Sequence, residues 1–193
     1  MRKRNSAIRD ERGFSLLELT VVIGILGVLA AVAIMVSPVF TRHAKAESGI
    51  AQAVDALRIG RETAISQRRN VRIEFIGLTA IRTIRQDIGT NGQVTGTTVL
   101  NTVELENNMQ FRLEPGVPDT PDGFGNGSAI SFGTSPERMF TSEGTLVNQQ
   151  GDVMNGTVFL SISGDPMSIR AISIFGPTAL LRVWRWDGRQ WVE

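Results

Sequence analysis

A single carboxylate interrupts the most apolar stretch of this sequence. Residues 14–36 contain one charged residue, Glu18. A carboxylate in apolar surroundings costs on the order of 2.5 kcal/mol or more, so a cationic partner is expected nearby. If the chain were cut between Gly13 and Phe14, the new α-amino group would lie four residues before Glu18, about one helical turn away on the same side. After such a cut, this spacing predicts an ion pair between the new amine and Glu18, within one chain or between neighbours.

The same apolar run predicts a membrane-spanning helix. About 23 residues at 1.5 Å each span roughly 34 Å, which is enough for the hydrocarbon core of a bilayer. Residues 1–13 hold five Arg or Lys residues against two acidic ones, a net charge of +3. Basic residues before a span stay in the cytoplasm, so the C-terminal part is expected outside. Gly24 and Gly27 would let neighbouring helices approach closely.

The motif Gly13-Phe14-Ser-Leu-Leu-Glu18, followed by about twenty apolar residues, resembles the prepilin signature of type IV pilins and type II secretion pseudopilins. The resemblance implies that a prepilin peptidase cuts after Gly13 and methylates the amine of Phe14. It implies that Glu18 sets the register between subunits whose helices pack in a filament core. Other pilins or pseudopilins, membrane lipid and an inner-membrane assembly platform are the further partners that it implies.

Two other interpretations of the N-terminal segment stay open. An ordinary signal peptide would be removed at a small-residue site such as Ala31-Val32-Ala33, and a plain single-pass anchor would not be cut at all. Glu18 interrupts the apolar core early, and the apolar run continues to Val36. Both features favour the prepilin interpretation.

The residue inventory argues against an enzyme. The chain has no cysteine, which excludes disulfides, iron–sulfur clusters and thiolate zinc sites. Its one histidine, His43, follows the apolar run, where a catalytic triad or a multi-histidine metal site would be poorly placed. We therefore expect no catalytic residues, no metal and no cofactor.

The remainder of the chain predicts an α+β fold. Apolar residues recur at helical spacing over residues 41–69, which indicates an amphipathic helix that continues the first helix and packs on an antiparallel β-sheet head. Predicted strands follow at Val71–Ile76, Leu78–Arg85, Val99–Leu105, Met109–Leu113, Ala129–Phe132, Thr157–Ser163, Ser168–Phe175 and Ala179–Trp186. The predicted domains are a leader over residues 1–13, a transmembrane or filament-core helix over 14–40 and an extracytoplasmic head over 41–193.

Residues 115–128 are rich in Pro, Gly and Asp, and they predict a mobile loop. Asp119, Asp122 and Asn126 are oxygen donors of the kind that calcium prefers. Their spacing lacks the EF-hand order, and no glutamate follows to bind the ion with both oxygens. A calcium site is therefore not expected.

The C-terminal third has a second resemblance. Phe140-Thr-Ser-Glu-Gly-Thr145, a later strand pair and the ending Leu181-Arg-Val-Trp-Arg-Trp-Asp-Gly188 are similar to the H-type minor pseudopilin and FimT family. Some members of that family bind DNA through a basic C-terminal region. The corresponding candidates here are arginines and tryptophans that would hold phosphate and stack on bases: Arg182, Trp184, Arg185, Trp186 and Arg189.

An alternative for the same segment is an ordinary last strand. Alternation would then place Val183 and Arg185 on one face and Trp184 and Trp186 on the other. Residues 14–193 hold 15 basic and 17 acidic residues, a net charge of −2, which gives no overall field to attract nucleic acid. The ordinary strand is therefore favoured, and DNA is a partner that the sequence allows but does not favour.

The function that these observations predict is structural. The chain would be a minor pilin or pseudopilin, anchored in a bacterial inner membrane by one span with its head in the periplasm. A type II secretion pseudopilus is the first expectation. The alternative is a minor type IV pilus subunit for motility, adhesion or DNA uptake.

Overall fold

The computed structural model describes residues 15–89, 93–133 and 137–193, and the side chains of all of these except 33–42. The described residues form one α-helix and eleven β-strands. The chain divides into two compact units, Met1–Phe40 and Thr41–Glu193.

Helix α1 (Leu16–Gln67) begins at a polar cap and continues as a stretch in which Glu18 and Thr20 are followed only by apolar residues up to Val36. Ser15 Oγ accepts a hydrogen bond from the Glu18 N–H at 3.2 Å, which satisfies one of the free donors of the first turn. Every residue from 16 to 32 is exposed, and most are Leu, Val, Ile, Ala or Gly. Among the described residues, no helix combines the length and hydropathy needed to cross a bilayer. The membrane-spanning first half therefore stays a prediction.

Within the unit Thr41–Glu193, α1 presents one buried face. The buried positions recur at intervals of three, four and seven residues, as one side of a helix requires. They are Ala46, Ile50, Ala53, Leu57 and Ala64. Gly60 lies so close to the sheet that an added Cβ would come within 2.8 Å of Ile73 Cδ1. The predicted amphipathic helix is confirmed, although Ile65, assigned to its apolar stripe, is 40% exposed.

The first sheet is antiparallel and has the strand order β3-β2-β1-β6-β7. Its strands are β1 (Val71–Ile76), β2 (Ala80–Ile88), β3 (Val94–Glu104), β6 (Met139–Phe140) and β7 (Leu146–Val147). Strands β1 and β2 form a hairpin in which Ile73 lies opposite Thr83. The α1 helix covers the face of this sheet that carries Val71, Ile73 and Ile81.

The second sheet, also antiparallel, has the order β11-β10-β9-β8-β4. Its strands are β4 (Met109–Phe111), β8 (Gly156–Ile162), β9 (Asp165–Phe175), β10 (Leu180–Trp186) and β11 (Trp191–Val192), and β5 (Ile130–Ser131) pairs with β8. One face packs on α1 and the first sheet through Val158, Leu160 and Ile172. The opposite face carries a second group of buried residues, the outer cluster: Val117, Phe159, Ile169, Ala171, Trp184 and Trp191.

The structure confirms the α+β class and most of the predicted strands. β1 has the predicted bounds, and β9 begins three residues earlier than predicted. β3 begins five residues earlier, at Val94. The sequence did not reveal this extension, because ten of the eleven residues of β3 are exposed and the added part shows no alternation of buried and exposed positions. The two-residue strands β6, β7 and β11 were not predicted, since pairs of this length leave no periodicity to detect.

One buried arginine connects the helix to the second sheet. The Arg170 side chain is 1% exposed, and its Nη2 lies 2.9 Å from Glu47 Oε1 on α1. Its Nη1 donates to the carbonyl oxygens of Met167 at 3.0 Å and Ile169 at 3.1 Å. A buried guanidinium requires such partners because an unpaired charge in the core is strongly destabilising.

Replacing Arg170 with methionine is expected to destabilise the protein by about 1–3 kcal/mol, because two carbonyls and Glu47 lose a charged donor. Chemical denaturation followed by circular dichroism would measure the change. Arg189→Met, at an exposed position, is the matched control and should leave the free energy of unfolding unchanged. Equal stability of the two variants would show that Arg170 does not hold the helix on the sheet.

Candidate functional sites

The first candidate site is the start of α1. Gly13 and Phe14, the predicted processing residues, lie outside the described residues. Glu18 is exposed in the first helical turn. A carboxylate in the first turn is favoured by the positive end of the helix dipole. Glu18 thus lies in the N-terminal turn of the helix, four residues after Phe14 in the sequence.

Ser15 and Glu18 together form a feature that the sequence analysis missed. Ser-x-x-Glu at a helix start is the signature of a capping box, in which each side chain satisfies the backbone N–H of the other residue. The structure contains one half of this arrangement, the bond from the Glu18 N–H to Ser15 Oγ. Glu18 therefore stands at a position that helix capping also favours, and capping alone would suit a glutamate there.

A continuous apolar surface surrounds this turn. Leu16 and Leu17 are 81% and 76% exposed. The hydroxyl of Thr20 donates to the carbonyl of Leu17 at 2.8 Å, so its polar group is satisfied within the helix. The segment 16–32 can bury its side chains only against partners that are not part of the described chain, and its surface suits lipid or other apolar helices.

The second candidate site is the C-terminal segment, where two of the predicted binding residues converge on Asp122. Arg182 Nη1 donates to Asp122 Oδ1 at 2.7 Å. Trp184 Nε1 donates to Asp122 Oδ2 at 3.3 Å and to Ser173 Oγ at 2.9 Å. The Ser173 hydroxyl donates in turn to Asp122 Oδ2. This network fixes the loop that carries Asp122 onto strands β9 and β10.

The tryptophans of this segment belong to the outer cluster or its edge. Trp184 is 7% exposed, so its ring is not available to stack on a base. Trp186 is half-buried and meets Trp191 edge to face, with ring centroids 5.3 Å apart. Trp191 donates from Nε1 to the carbonyl of Pro118 at 3.0 Å. The alternation of the ordinary last strand is present, because Val183 packs toward the α1 side.

The other two predicted arginines remain at the surface. Arg185 and Arg189 are both exposed, and Arg189 lies in the turn between β10 and β11. Asp187 closes that turn by accepting the N–H groups of Gln190 at 2.8 Å and Arg189 at 2.7 Å. These backbone hydrogen bonds, that of Gln190 first, hold the pKa of Asp187 below its usual value. The structure therefore separates the five predicted residues. Arg182 and Trp184 belong to the Asp122 network, Trp186 lies at the edge of the outer cluster, and Arg185 and Arg189 are exposed.

Residues 115–128 form a loop, as predicted, and hydrogen bonds fasten it; its mobility stays a prediction. Asp119 accepts the N–H groups of Thr120 and Gly125, each at 2.7 Å. Asn126 Nδ2 donates to the carbonyl of Val117 at 3.4 Å. Asp119, Asp122 and Asn126, the three residues considered for calcium, thus form hydrogen bonds with different partners within the chain. Within the part of the chain that the structure describes, no three acidic or histidine side chains converge.

Replacing Asp122 with alanine is expected to cost about 1–3 kcal/mol, since Arg182, Trp184 and Ser173 all lose an acceptor. The loop should then become a site of proteolytic cleavage, and the fluorescence of Trp184 should shift to longer wavelength. Asp165→Ala is a control at a turn away from this network. An unchanged cleavage pattern in the Asp122 variant would show that the network does not fasten the loop.

The N-terminal segment matches a known family model. Residues 8–34 match the model described as "Prokaryotic N-terminal methylation motif". The match confirms the resemblance to type IV pilin-like proteins that Gly13, Phe14 and Glu18 predict. No curated protein sequence matches the chain.

Two solved structures show a weaker similarity, and both are crystal forms of the type IV minor pilin FimU of Pseudomonas aeruginosa. Each is 15% identical to this chain. One alignment covers 78% of this chain and 97% of that chain with a TM-score of 0.43. The other covers 81% and 96% with a TM-score of 0.44. A similarity of this degree does not by itself assign a function.

Proposed function

We propose that this chain, which is type IV pilin-like by its N-terminal methylation motif, is a minor pilin or pseudopilin that a prepilin peptidase processes before it joins a filament. The observation that carries the proposal is the apolar start of α1. Its side chains from 16 to 32 are exposed, it begins within the matched motif and Glu18 is its one charged residue. A helix of this kind requires a surrounding of lipid or of other helices.

The proposed role of Glu18 follows from electrostatics. Once the segment is packed among other apolar helices, a lone carboxylate loses its water and needs a counter-charge. The methylated amine of Phe14, created by cleavage after Gly13, supplies a cation at the same end of a helix. The pair forms only when subunits reach the correct axial register, so it selects that register during assembly.

The proposed location follows from the same segment. Before assembly, the helix anchors the chain in the inner membrane, with the basic residues 1–13 in the cytoplasm and the head over 41–193 in the periplasm. The assembly platform and the peptidase act at that membrane. Residues 21–32 of the helix are all apolar and exposed, which supports this proposal.

We favour a type II secretion pseudopilus, because the resemblance of the C-terminal third is to the H-type minor pseudopilins. The alternative is a minor subunit of a type IV pilus for motility, adhesion or DNA uptake. Deleting the gene distinguishes the two systems. Loss of extracellular enzymes with normal twitching motility supports the pseudopilus, and the opposite result supports the pilus.

Processing is tested by the intact mass and N-terminal sequence of the membrane-extracted protein. The expected chain begins at N-methylated Phe14. A start at Ile34 would instead identify a conventionally secreted protein, and a start at Met1 in cells with an active peptidase would identify a simple anchor. Either result would overturn the proposed function.

Replacing Glu18 with alanine or glutamine is expected to leave cleavage intact and to reduce incorporation into filaments at least about tenfold, since a lost buried ion pair costs more than 1.4 kcal/mol. Quantitative immunoblotting of sheared filaments against the membrane pool measures the effect. Thr20→Val is the control, because it removes a polar group from the same helix that is already satisfied internally. Normal incorporation of the Glu18 variants would remove the proposed role of the carboxylate.

A DNA-binding head is the second candidate, and the exposure of Arg185 and Arg189 favours it. Phosphate contacts by these arginines would make the affinity for duplex DNA fall steeply with salt. We expect the triple change of Arg182, Arg185 and Arg189 to alanine to weaken binding and reduce the salt dependence. The control is Arg58→Ala on α1 combined with Arg68→Ala in the turn that follows it. If the triple variant and the control variant of the full chain bind duplex DNA with equal affinity, the DNA-binding candidate is excluded.

A further inference from the structure

A cleft in the head lies between the fastened loop and the turn that joins β9 to β10. Its volume is about 550 Å³, within the range of sites that hold small ligands or peptide side chains. Its lining includes Pro121, Asp122, Phe124, Phe175, Leu180 and Arg182. None of the residues that line the cleft belongs to α1.

The walls of the cleft are apolar and accessible. Phe124 and Phe175 stack with their ring centroids 6.5 Å apart and an angle of 23° between their planes. Phe175 is 43% exposed, and Leu180 on the opposite strand is 52% exposed. Neighbouring exposed apolar side chains around a concavity mark a surface that gains free energy when a partner covers it.

The charge that reaches solvent at this cleft is positive. The Asp122 side chain is 13% exposed and its oxygens already accept from Ser173, Arg182 and Trp184. The Arg182 side chain is 47% exposed and uses only Nη1 for Asp122; its Nε and Nη2 make no hydrogen bond within the described part of the chain. A guanidinium has five N–H donors, so Arg182 can still donate hydrogen bonds from Nε and Nη2 to both oxygens of a second carboxylate.

Arg182 forms a basic rim on one side of the cleft, and a second shallow depression extends this rim. It shares Thr178 and Leu180 with the cleft and is lined by Arg58 and Arg61 of α1. The side chain of Arg58 is 59% exposed, with Asp55 at the outer limit of an ion pair, 3.9 Å away. Arg61 donates from Nε to the carbonyl of Gly144 and has no carboxylate partner among the described residues. The partner that complements this surface is therefore acidic as well as apolar.

We infer that the cleft binds an extended segment of a partner protein in which a large apolar side chain stands next to a carboxylate. The apolar side chain lies against Phe124, Phe175 and Leu180. The carboxylate pairs with the free donors of Arg182, and further acidic residues meet Arg58 and Arg61. The arrangement does not depend on how the N-terminal helix is processed, so it stands or falls apart from the proposed function.

The test uses the full chain in detergent micelles and fluorescein-labelled hexapeptides centred on Asp-Phe, with Asn-Phe and Asp-Ala peptides as comparisons. Fluorescence anisotropy should show saturable binding of the Asp-Phe peptide and at least about fivefold weaker binding of each comparison, since one charged hydrogen bond or one buried ring is lost. Raising the salt concentration should weaken the Asp-Phe peptide more than the Asn-Phe peptide.

Phe175→Ser is the main variant, because the position is partly exposed and the change should not unfold the head. It should reduce affinity for the Asp-Phe peptide at least about fivefold. Leu78→Ser, at a position on the β1–β2 turn that is 57% exposed against 43% for Phe175, is the control and should bind normally. Arg182→Lys, which retains a charge for Asp122, should lose most of the preference for Asp-Phe over Asn-Phe.

Three outcomes would overturn the inference. The Asp-Phe peptide fails to bind at millimolar concentration, or it binds no better than the Asn-Phe and Asp-Ala peptides. In the third outcome, the full chain self-associates in a concentration-dependent way and the peptide does not compete with this self-association. Phe175→Ser then abolishes the self-association. The last result would assign this face to a second copy of the chain.

Discussion

The packing of the second half of α1 against two sheets at once is the constraint on which the head depends. Ala46, Ala53 and Leu57 belong to one core with strands of both sheets. Small residues set the distance of approach: a Cβ added at Gly49 would lie 2.8 Å from Met109 Cβ on the second sheet. Because close-packed interiors tolerate little added volume, these positions fix where the sheets meet the helix. Arg170 then adds a directed charge contact to the same junction.

Buried charged side chains of the head have partners within the chain, whereas Glu18 at the start of α1 has none among the described residues. In the head, Arg170 and Asp122 have their partners within the chain, at 2.9 Å from Glu47 and 2.7 Å from Arg182. Glu18 has none of comparable kind among the described residues, and its surroundings along the helix are apolar. In the proposed assembly, another subunit or the processed chain start supplies the counter-charge of Glu18.

The outer face of the second sheet shows how context changes the meaning of a sequence pattern. Arginines alternating with tryptophans are typical of nucleic-acid surfaces. Here the fastened loop covers that face, so Trp184 becomes a core residue and Arg182 an anchor for Asp122. Phe124 of the same loop stacks on Phe175, and the loop leaves Phe175 and Leu180 partly exposed in an apolar cleft beside Arg182. The proposed binding surface is therefore the cleft at the end of β10, and not the tryptophans of that strand.

Local sequence patterns determined the helix, the hairpin β1–β2 and the strands β8 to β10, because a repeated periodicity of 3.6 or 2 requires no knowledge of distant residues. Gly13, Phe14 and Glu18 likewise reveal the methylation motif by their spacing along the sequence. Only the tertiary structure decided the sheet order, the two-residue strands and the partners of Asp122, which lies 51 to 62 residues from Ser173, Arg182 and Trp184. Contacts over such separations depend on how the whole chain closes, and no local pattern records them.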